Sequence, residues 1–181
     1  MRSLVLTILL CLPLFAVAGV EKDRKKVLDE SEKILARLYK EEPDAKGKIA
    51  RAAGYATFSN VGVNVIFVSA GGGSGVVHNN KTGEKTYMKM GTAGLGIGLG
   101  VKDFRAVFIF HEADAMTKFI ESGWDFSGQA DAAAKSGDKG AEGSTAGTIV
   151  NGVSIYQMTE NGLALQATLQ GTKYWKDSKL N

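Results

Sequence analysis

Between residues 94 and 101 every second residue is glycine, and aliphatic residues occupy the positions between them. Because successive side chains of a strand point to opposite faces, this segment predicts a β-strand with one bare face and one apolar face. A bare face allows tight packing, sharp coiling of the strand or a groove for a ligand. A second glycine cluster lies at residues 71–75, and the chain has 23 glycines but only two prolines. This composition favours a bent sheet with close backbone approaches.

The periodicity of the apolar residues changes from helical to strand-like along the chain. Helical spacing over residues 20–42 predicts an amphipathic helix that Pro43 ends, and residues 44–53 predict a second, short helix. Strands are expected over residues 61–68, 75–80, 84–90 and 104–110, then a helix over 111–122, then strands over 124–134, 148–158 and 163–170. Residues 81–83 and 160–162 are expected to be turns. The order predicts an α+β fold whose N-terminal helices and one further helix pack on a curved, mostly antiparallel, glycine-rich or barrel-like sheet.

The first 18 residues have the pattern of a secretory signal peptide. Arg2 provides the positive start, residues 4–17 are apolar, and Ala16-Val17-Ala18 is a small-x-small cleavage site. The apolar stretch is shorter than the roughly 20 residues that span a bilayer. We therefore expect an exported, periplasmic protein, membrane-associated or free, that begins at Gly19. A helix over residues 19–44 would precede one domain over residues 45–181.

The sequence offers little for catalysis, and we expect no catalytic residue, metal or cofactor. His111 stands beside Glu112, where the pair either does acid–base or metal chemistry or simply solvates a strand-to-helix junction. His78 precedes a polar turn and is expected to be exposed. No phosphate-binding loop and no G-x-S-x-G motif occur, and the single cysteine, Cys11, lies in the signal.

The first helix carries its basic residues on one side of a helical wheel, next to an apolar stripe. A basic face beside an apolar stripe suits docking on anionic headgroups. Residues 20–42 hold seven basic and seven acidic residues, so a helix packed on the sheet with a solvated charged face is the alternative. The candidate lipid-binding residues of this helix are Lys22, Lys26, Lys33, Arg37 and Lys40.

The C-terminal stretch places two aromatic residues between cations, in the order Lys173-Tyr174-Trp175-Lys176. This pattern suits a membrane interface, and it makes Lys173, Trp175 and Lys176 further candidate lipid-binding residues. The alternative is that Trp175 is tucked against the core. Nucleic acid is not an expected partner, because the formal net charge is only +3 and the chain carries an export signal.

Several segments, taken in order, resemble the SYLF domain over residues 45–171. They are residues 45–50, 56–58, 71–76, 91–96, 107–110, 115–119 and 162–165. Lys48 departs from the family pattern, which usually has an apolar residue there. The resemblance implies a lipid-binding module, with phosphoinositide and actin binding in eukaryotic members. Actin is not an expected partner of an exported chain.

The residues and the resemblance together predict an exported, non-catalytic protein of the cell envelope. Its expected partner is anionic phospholipid or a membrane surface, which it contacts through basic residues. The alternative is an envelope structural or protein-interaction module that binds an envelope protein and no specific lipid.

Overall fold

The computed structural model describes residues 12–65, 68–95, 104–125, 148–150, 152–159, 162–164 and 172–181. Within these ranges the chain forms three helices, α1 (Leu12–Glu41), α2 (Asp44–Arg51) and α3 (Ala113–Ser122). It also forms nine strands: β1 (Gly54–Val65), β2 (Val68–Asn79), β3 (Lys85–Leu95), β4 (Phe104–Phe110), β5 (Trp124–Asp125), β6 (Thr148–Val150), β7 (Val153–Thr159), β8 (Gly162–Ala164) and β9 (Thr172–Lys176).

The strands form one antiparallel sheet that is strongly curled. Its order is β5-β9-β3-β2-β1-β4-β7-β6, with β8 also paired to β7. The ring of Tyr174 in β9 lies 5.1 Å from the ring of Phe108 in β4, although three strands separate β9 from β4. In a flat sheet, at about 4.8 Å per strand, these two strands would lie roughly 19 Å apart. The predicted α+β fold with a curved, antiparallel sheet is confirmed.

Helices cover both faces of the sheet, because alternate residues of each strand are apolar on opposite sides. In β4, Phe108 and Phe110 join the core under α3, which lies on the concave side. Val107 and Ile109 join the core under α1 and α2, on the convex side. The convex face is the one that positions the candidate site.

Two of the predicted strands are each divided between two strands of the structure. Val65 pairs with Val68, so residues 61–68 contain the adjoining ends of β1 and β2. Val150 pairs with Val153, so residues 148–158 contain β6 and most of β7. Gly152 has a φ of +75°, and Asn-Gly is a favoured hairpin turn. Apolar residues continue through 61–68, so periodicity does not reveal where β1 ends, whereas the Asn-Gly pair at residues 151–152 was an available turn signal inside the second predicted strand.

The strands predicted over 75–80 and 84–90 are too short, because β2 begins at Val68 and β3 ends at Leu95. Other predicted elements are closer to their observed bounds. β4 is as predicted, and the hairpin around residues 81–83 is confirmed, with a φ of +75° at Gly83. α1 begins at Leu12 rather than at residue 20. The preceding apolar residues favour helix, and a helix tolerates Pro13 in its first turn. Of the glycine-alternating segment, residues 96–101 lie outside the described residues, as do most of the strands predicted over 124–134 and 163–170.

Candidate functional site

Helix α1 is fixed across the convex face by buried contacts and by the C-terminal segment. The Thr57 hydroxyl of β1 donates a 2.7 Å hydrogen bond to the Ser31 hydroxyl, and both residues are buried. Ile34 packs in the convex core beside this bond. Nearer the start of the helix, Arg24 Nε donates to the carbonyl oxygen of Leu180 at 2.8 Å. These contacts set which side of α1 faces outward.

A groove of about 820 Å³ runs between α1 and the edge of the convex face that the helix leaves uncovered. Ser59, Ser74 and the backbone of residues 72–75 lie along the sheet side of the groove, and Arg105 of β4 also lines it. An added Cβ at exposed Gly72 would meet no atom within 4 Å, so the groove is open at this point. This side of the groove is therefore lined by small side chains, by hydroxyl groups and by open backbone.

Three of the five basic residues predicted on α1 line this groove. Lys22, Lys26 and Lys33 come together there because they share one side of the helix. Lys40 is exposed, and Arg37 donates from Nε to Glu41 at 2.7 Å; neither residue lines the groove. The helical period therefore correctly predicted the basic side of α1. Only the part of that side that lies over the uncovered sheet forms the groove.

The groove carries more positive than negative charge. Five basic residues (Lys22, Lys25, Lys26, Lys33 and Arg105) and three acidic residues (Asp23, Asp29 and Glu30) line it. Lys25 pairs with Asp29 at 2.8 Å, and Glu30 pairs with Lys33 at 3.4 Å and with Arg105 at 3.5 Å. A hydrogen bond from Lys179, together with its charge, lowers the pKa of Asp23. The charges of Lys26 and Lys22 also contribute to the lowered pKa of Asp23. Among the residues that the structure describes, these two lysines form no salt bridge, so they are the groove cations most available to a ligand.

Sequence reasoning missed Arg105, because its place in the groove depends on strand register. Arg105 of β4 pairs with Ser59 of β1, which pairs with Ser74 of β2. The same row continues through Lys89 of β3 to Trp175 of β9. The C-terminal stretch and the groove therefore share the convex face, although nothing in the sequence pattern connects these two patches.

Trp175 is not tucked into the core, so that alternative for this residue is wrong. Its side chain lies over Gly91, where an added Cβ would be 3.0 Å from the ring, and 45% of the residue is exposed. Tyr174, which points to the other side of β9, is the buried aromatic. Lys173 is exposed and shares the side of Trp175, whereas Lys176 lines a smaller cavity beside α3. We call Lys22, Lys26, Lys33, Arg105, Lys173 and Trp175 the convex basic surface.

His78 is half-buried rather than exposed. Its ring stacks on Tyr55, with the centroids 4.6 Å apart and the planes 5° from parallel. Burial, assisted by the charge of Lys85, lowers the pKa of His78 to about 4. An unfolded chain has a histidine pKa of about 6.5, so it binds the proton more readily between these two values.

The stability of the protein should therefore fall as the pH is lowered from about 6.5 to about 4. The His78→Phe variant keeps an aromatic ring on Tyr55 but cannot take up the proton. We expect its denaturant midpoint to change less than that of the parent between pH 7 and pH 4.5. An equal loss of stability in both proteins would show that other groups cause the pH dependence.

The acid–base or metal chemistry considered for His111 has no supporting geometry among the described residues. His111 Nε2 lies 2.8 Å from the Ser154 hydroxyl. This hydrogen bond gives His111 a structural role at the strand-to-helix junction. Among the described residues no three metal-binding side chains are grouped together. Within the same residues, none of the helices has the length and apolar character needed to cross a bilayer.

No protein-family model matches the chain. The chain is similar to Beta cell expansion factor A of Aeromonas veronii, with 37% identity over 146 residues. The match covers 81% of this chain and 54% of the other protein. This chain is thus related over most of its own length to about half of that longer relative.

Proposed function

We propose that this chain is an exported, non-catalytic lipid-binding protein of the cell envelope, of the SYLF type, that docks on anionic phospholipid. One observation carries the proposal: the two lysines without ion-pair partners among the described residues, Lys22 and Lys26, share a sheet face with exposed Trp175. Cations and an exposed indole on one surface are the features of a protein that rests at a lipid headgroup layer.

The groove has the chemistry to receive a phosphate headgroup. Lys22 and Lys26 supply charge, and each basic residue near an anionic leaflet contributes about 1 kcal/mol. The hydroxyls of Ser59 and Ser74 can donate hydrogen bonds to phosphate oxygens. Trp175 would enter the interface beside the headgroup, where its ring is favoured over bulk water.

The SYLF resemblance supports a lipid ligand, whereas the name of the relative mentions beta cells and no ligand. That name therefore does not enter the choice of ligand. Anionic phospholipid is preferred to actin because the signal pattern in residues 1–18 directs the chain out of the cytosol.

Vesicle co-sedimentation tests the docking. We expect the chain from residue 19 to bind vesicles containing phosphatidylglycerol and to bind pure phosphatidylcholine vesicles weakly. Binding should fall when the salt is raised from 0.1 M to 1 M, because the screening length drops from about 10 Å to about 3 Å. Absence of vesicle binding, together with a stable envelope protein in pull-downs, would instead establish the interaction module.

Export is tested separately by the mass of the protein in the periplasmic fraction. Cleavage after Ala18 should give a chain that begins at Gly19. A chain that retains Met1, or recovery only from the cytosol, would contradict export while leaving the vesicle result intact.

A further inference from the structure

The carboxylate of Glu30 on α1 lies between two cations of the groove. Its Oε1 atom is 3.5 Å from Nε of Arg105 on β4, and its Oε2 atom is 3.4 Å from Nζ of Lys33 on α1. Each oxygen therefore faces a different cation, one from the sheet and one from the helix. This carboxylate occupies the place that an anionic ligand of the same two cations would take.

The position of Glu30 is set by the buried bond that fixes α1 to the sheet. Ser31, the next residue of the helix, accepts the hydrogen bond from Thr57 of β1. Ser59 lies two residues further along β1, so its side chain is on the same face as that of Thr57, and it pairs with Arg105 of β4. Glu30 therefore reaches the cation beside Ser59 from an anchored part of the helix.

The two contacts of Glu30 are weak enough for a ligand to replace them. Charge-assisted hydrogen bonds between nitrogen and oxygen are typically about 2.7–2.9 Å long, and both contacts are longer. The side chains of Glu30, Arg105 and Lys33 are 30%, 31% and 74% exposed, so water screens their attraction. A phosphate has more oxygen atoms than a carboxylate, so it can accept hydrogen bonds from both cations and from the Ser59 hydroxyl at once.

We propose that Arg105, Lys33 and the Ser59 hydroxyl form a phosphate subsite that Glu30 covers in the free chain. A lipid phosphate displaces the Glu30 carboxylate when the chain docks, and Glu30 then turns toward the solvent. Glu30 is thus a specificity-determining residue, because a ligand must attract the two cations more strongly than a carboxylate does. The inference rests on the proposed docking for the source of the phosphate, whereas the subsite itself can be tested without lipid.

Glu30→Gln tests the cover, with Glu32→Gln as the matched control. Both changes remove one negative charge from α1, but Glu32 is exposed and does not line the groove. We expect Glu30→Gln to strengthen binding to phosphatidylglycerol vesicles at least about threefold more than Glu32→Gln does, because two surface ion pairs no longer compete with the lipid. Equal gains in the two variants, or no gain in Glu30→Gln, would overturn the proposal.

Arg105→Gln shows whether Glu30 and Arg105 act on the same ligand. In the parent, where the cation is covered, we expect this change to weaken vesicle binding less than about twofold. In the Glu30→Gln background it should remove most of the gain, since coupled residues are not additive. The same loss of binding in both backgrounds would mean that Arg105 acts independently of Glu30, against the proposal.

Calorimetric titration with inorganic phosphate separates the subsite from the membrane. We expect Glu30→Gln to bind phosphate at least about threefold more tightly than the parent, and Glu32→Gln to bind it like the parent. If no variant binds vesicles but phosphate binding rises in Glu30→Gln, docking on lipid fails and the covered subsite stands. If the parent binds vesicles and Glu30→Gln changes neither measurement, the cover fails and docking stands. The denaturant midpoints of both glutamine variants should remain close to that of the parent.

Discussion

Reversing the charges of Lys22 and Lys26 to glutamate is expected to weaken binding to phosphatidylglycerol vesicles at least tenfold. The double variant loses two attractive contacts of about 1 kcal/mol each and adds repulsion from two carboxylates. Both lysines are exposed and form no salt bridge among the described residues, so the fold should be little affected. Lys33 is a poorer choice, because its partner Glu30 would lose a salt bridge. Co-sedimentation at a fixed salt concentration measures the change.

A matched control separates the position of these charges from their number. Lys46→Glu with Lys118→Glu alters the net charge equally, at exposed positions on α2 and α3. Neither residue lies in the groove. We expect this control to retain most of the binding. If both double variants lose binding equally, overall charge rather than the convex basic surface attracts the chain to lipid.

Replacing Gly75 by alanine should destabilise the protein by about 1–3 kcal/mol or more. A Cβ at this position would collide with the ring of Phe58 and with the carbonyl oxygen of Thr57, and the backbone oxygen cannot move without distorting β1. The denaturant midpoint measures the loss of stability.

Gly72 in the same cluster is the control for Gly75. Its Cβ would meet nothing within 4 Å, so Gly72→Ala should change stability by no more than about 0.5 kcal/mol. Equal stability of the two variants would mean that the concave core is not packed against β2 as described. A large loss at Gly72 alone would mean that the groove is not open.

The sequence predicted the features that depend on the spacing of residues along one helix or strand. It could not predict the features that depend on which strands pair and in which register. The helical wheel placed Lys22, Lys26 and Lys33 on one side of α1, as observed, because three residues on one helix need no distant contact. Arg105 and Trp175 joined the same face only through four successive strand pairings. The periodicity of a strand does not indicate which distant strand it pairs with.

The glycine cluster at residues 71–75 likewise has features that its sequence predicted and features that depend on distant parts of the fold. Its residues predicted close packing or an open groove as alternatives, and the structure has both within four positions of one strand. Gly75 faces a packed core and Gly72 faces open space, because successive residues of the strand serve opposite sides. Which side is filled is decided by α1 and by the aromatic rings of β1, neither of which is encoded in the cluster itself.

The C-terminal segment that holds α1 ties the two ends of the described chain together. Arg24 bonds to Leu180 and Lys179 pairs with Asp23, each across 156 residues of sequence. Contacts of such separation form late, since the intervening chain must first be available to fold. Under the proposed export, α1 would emerge before the C-terminal segment, so its contacts with Lys179 and Leu180 could form only afterwards. If export is as proposed, a chain halted partway would present α1 without these C-terminal contacts, and the convex basic surface would be complete only after Trp175 had followed.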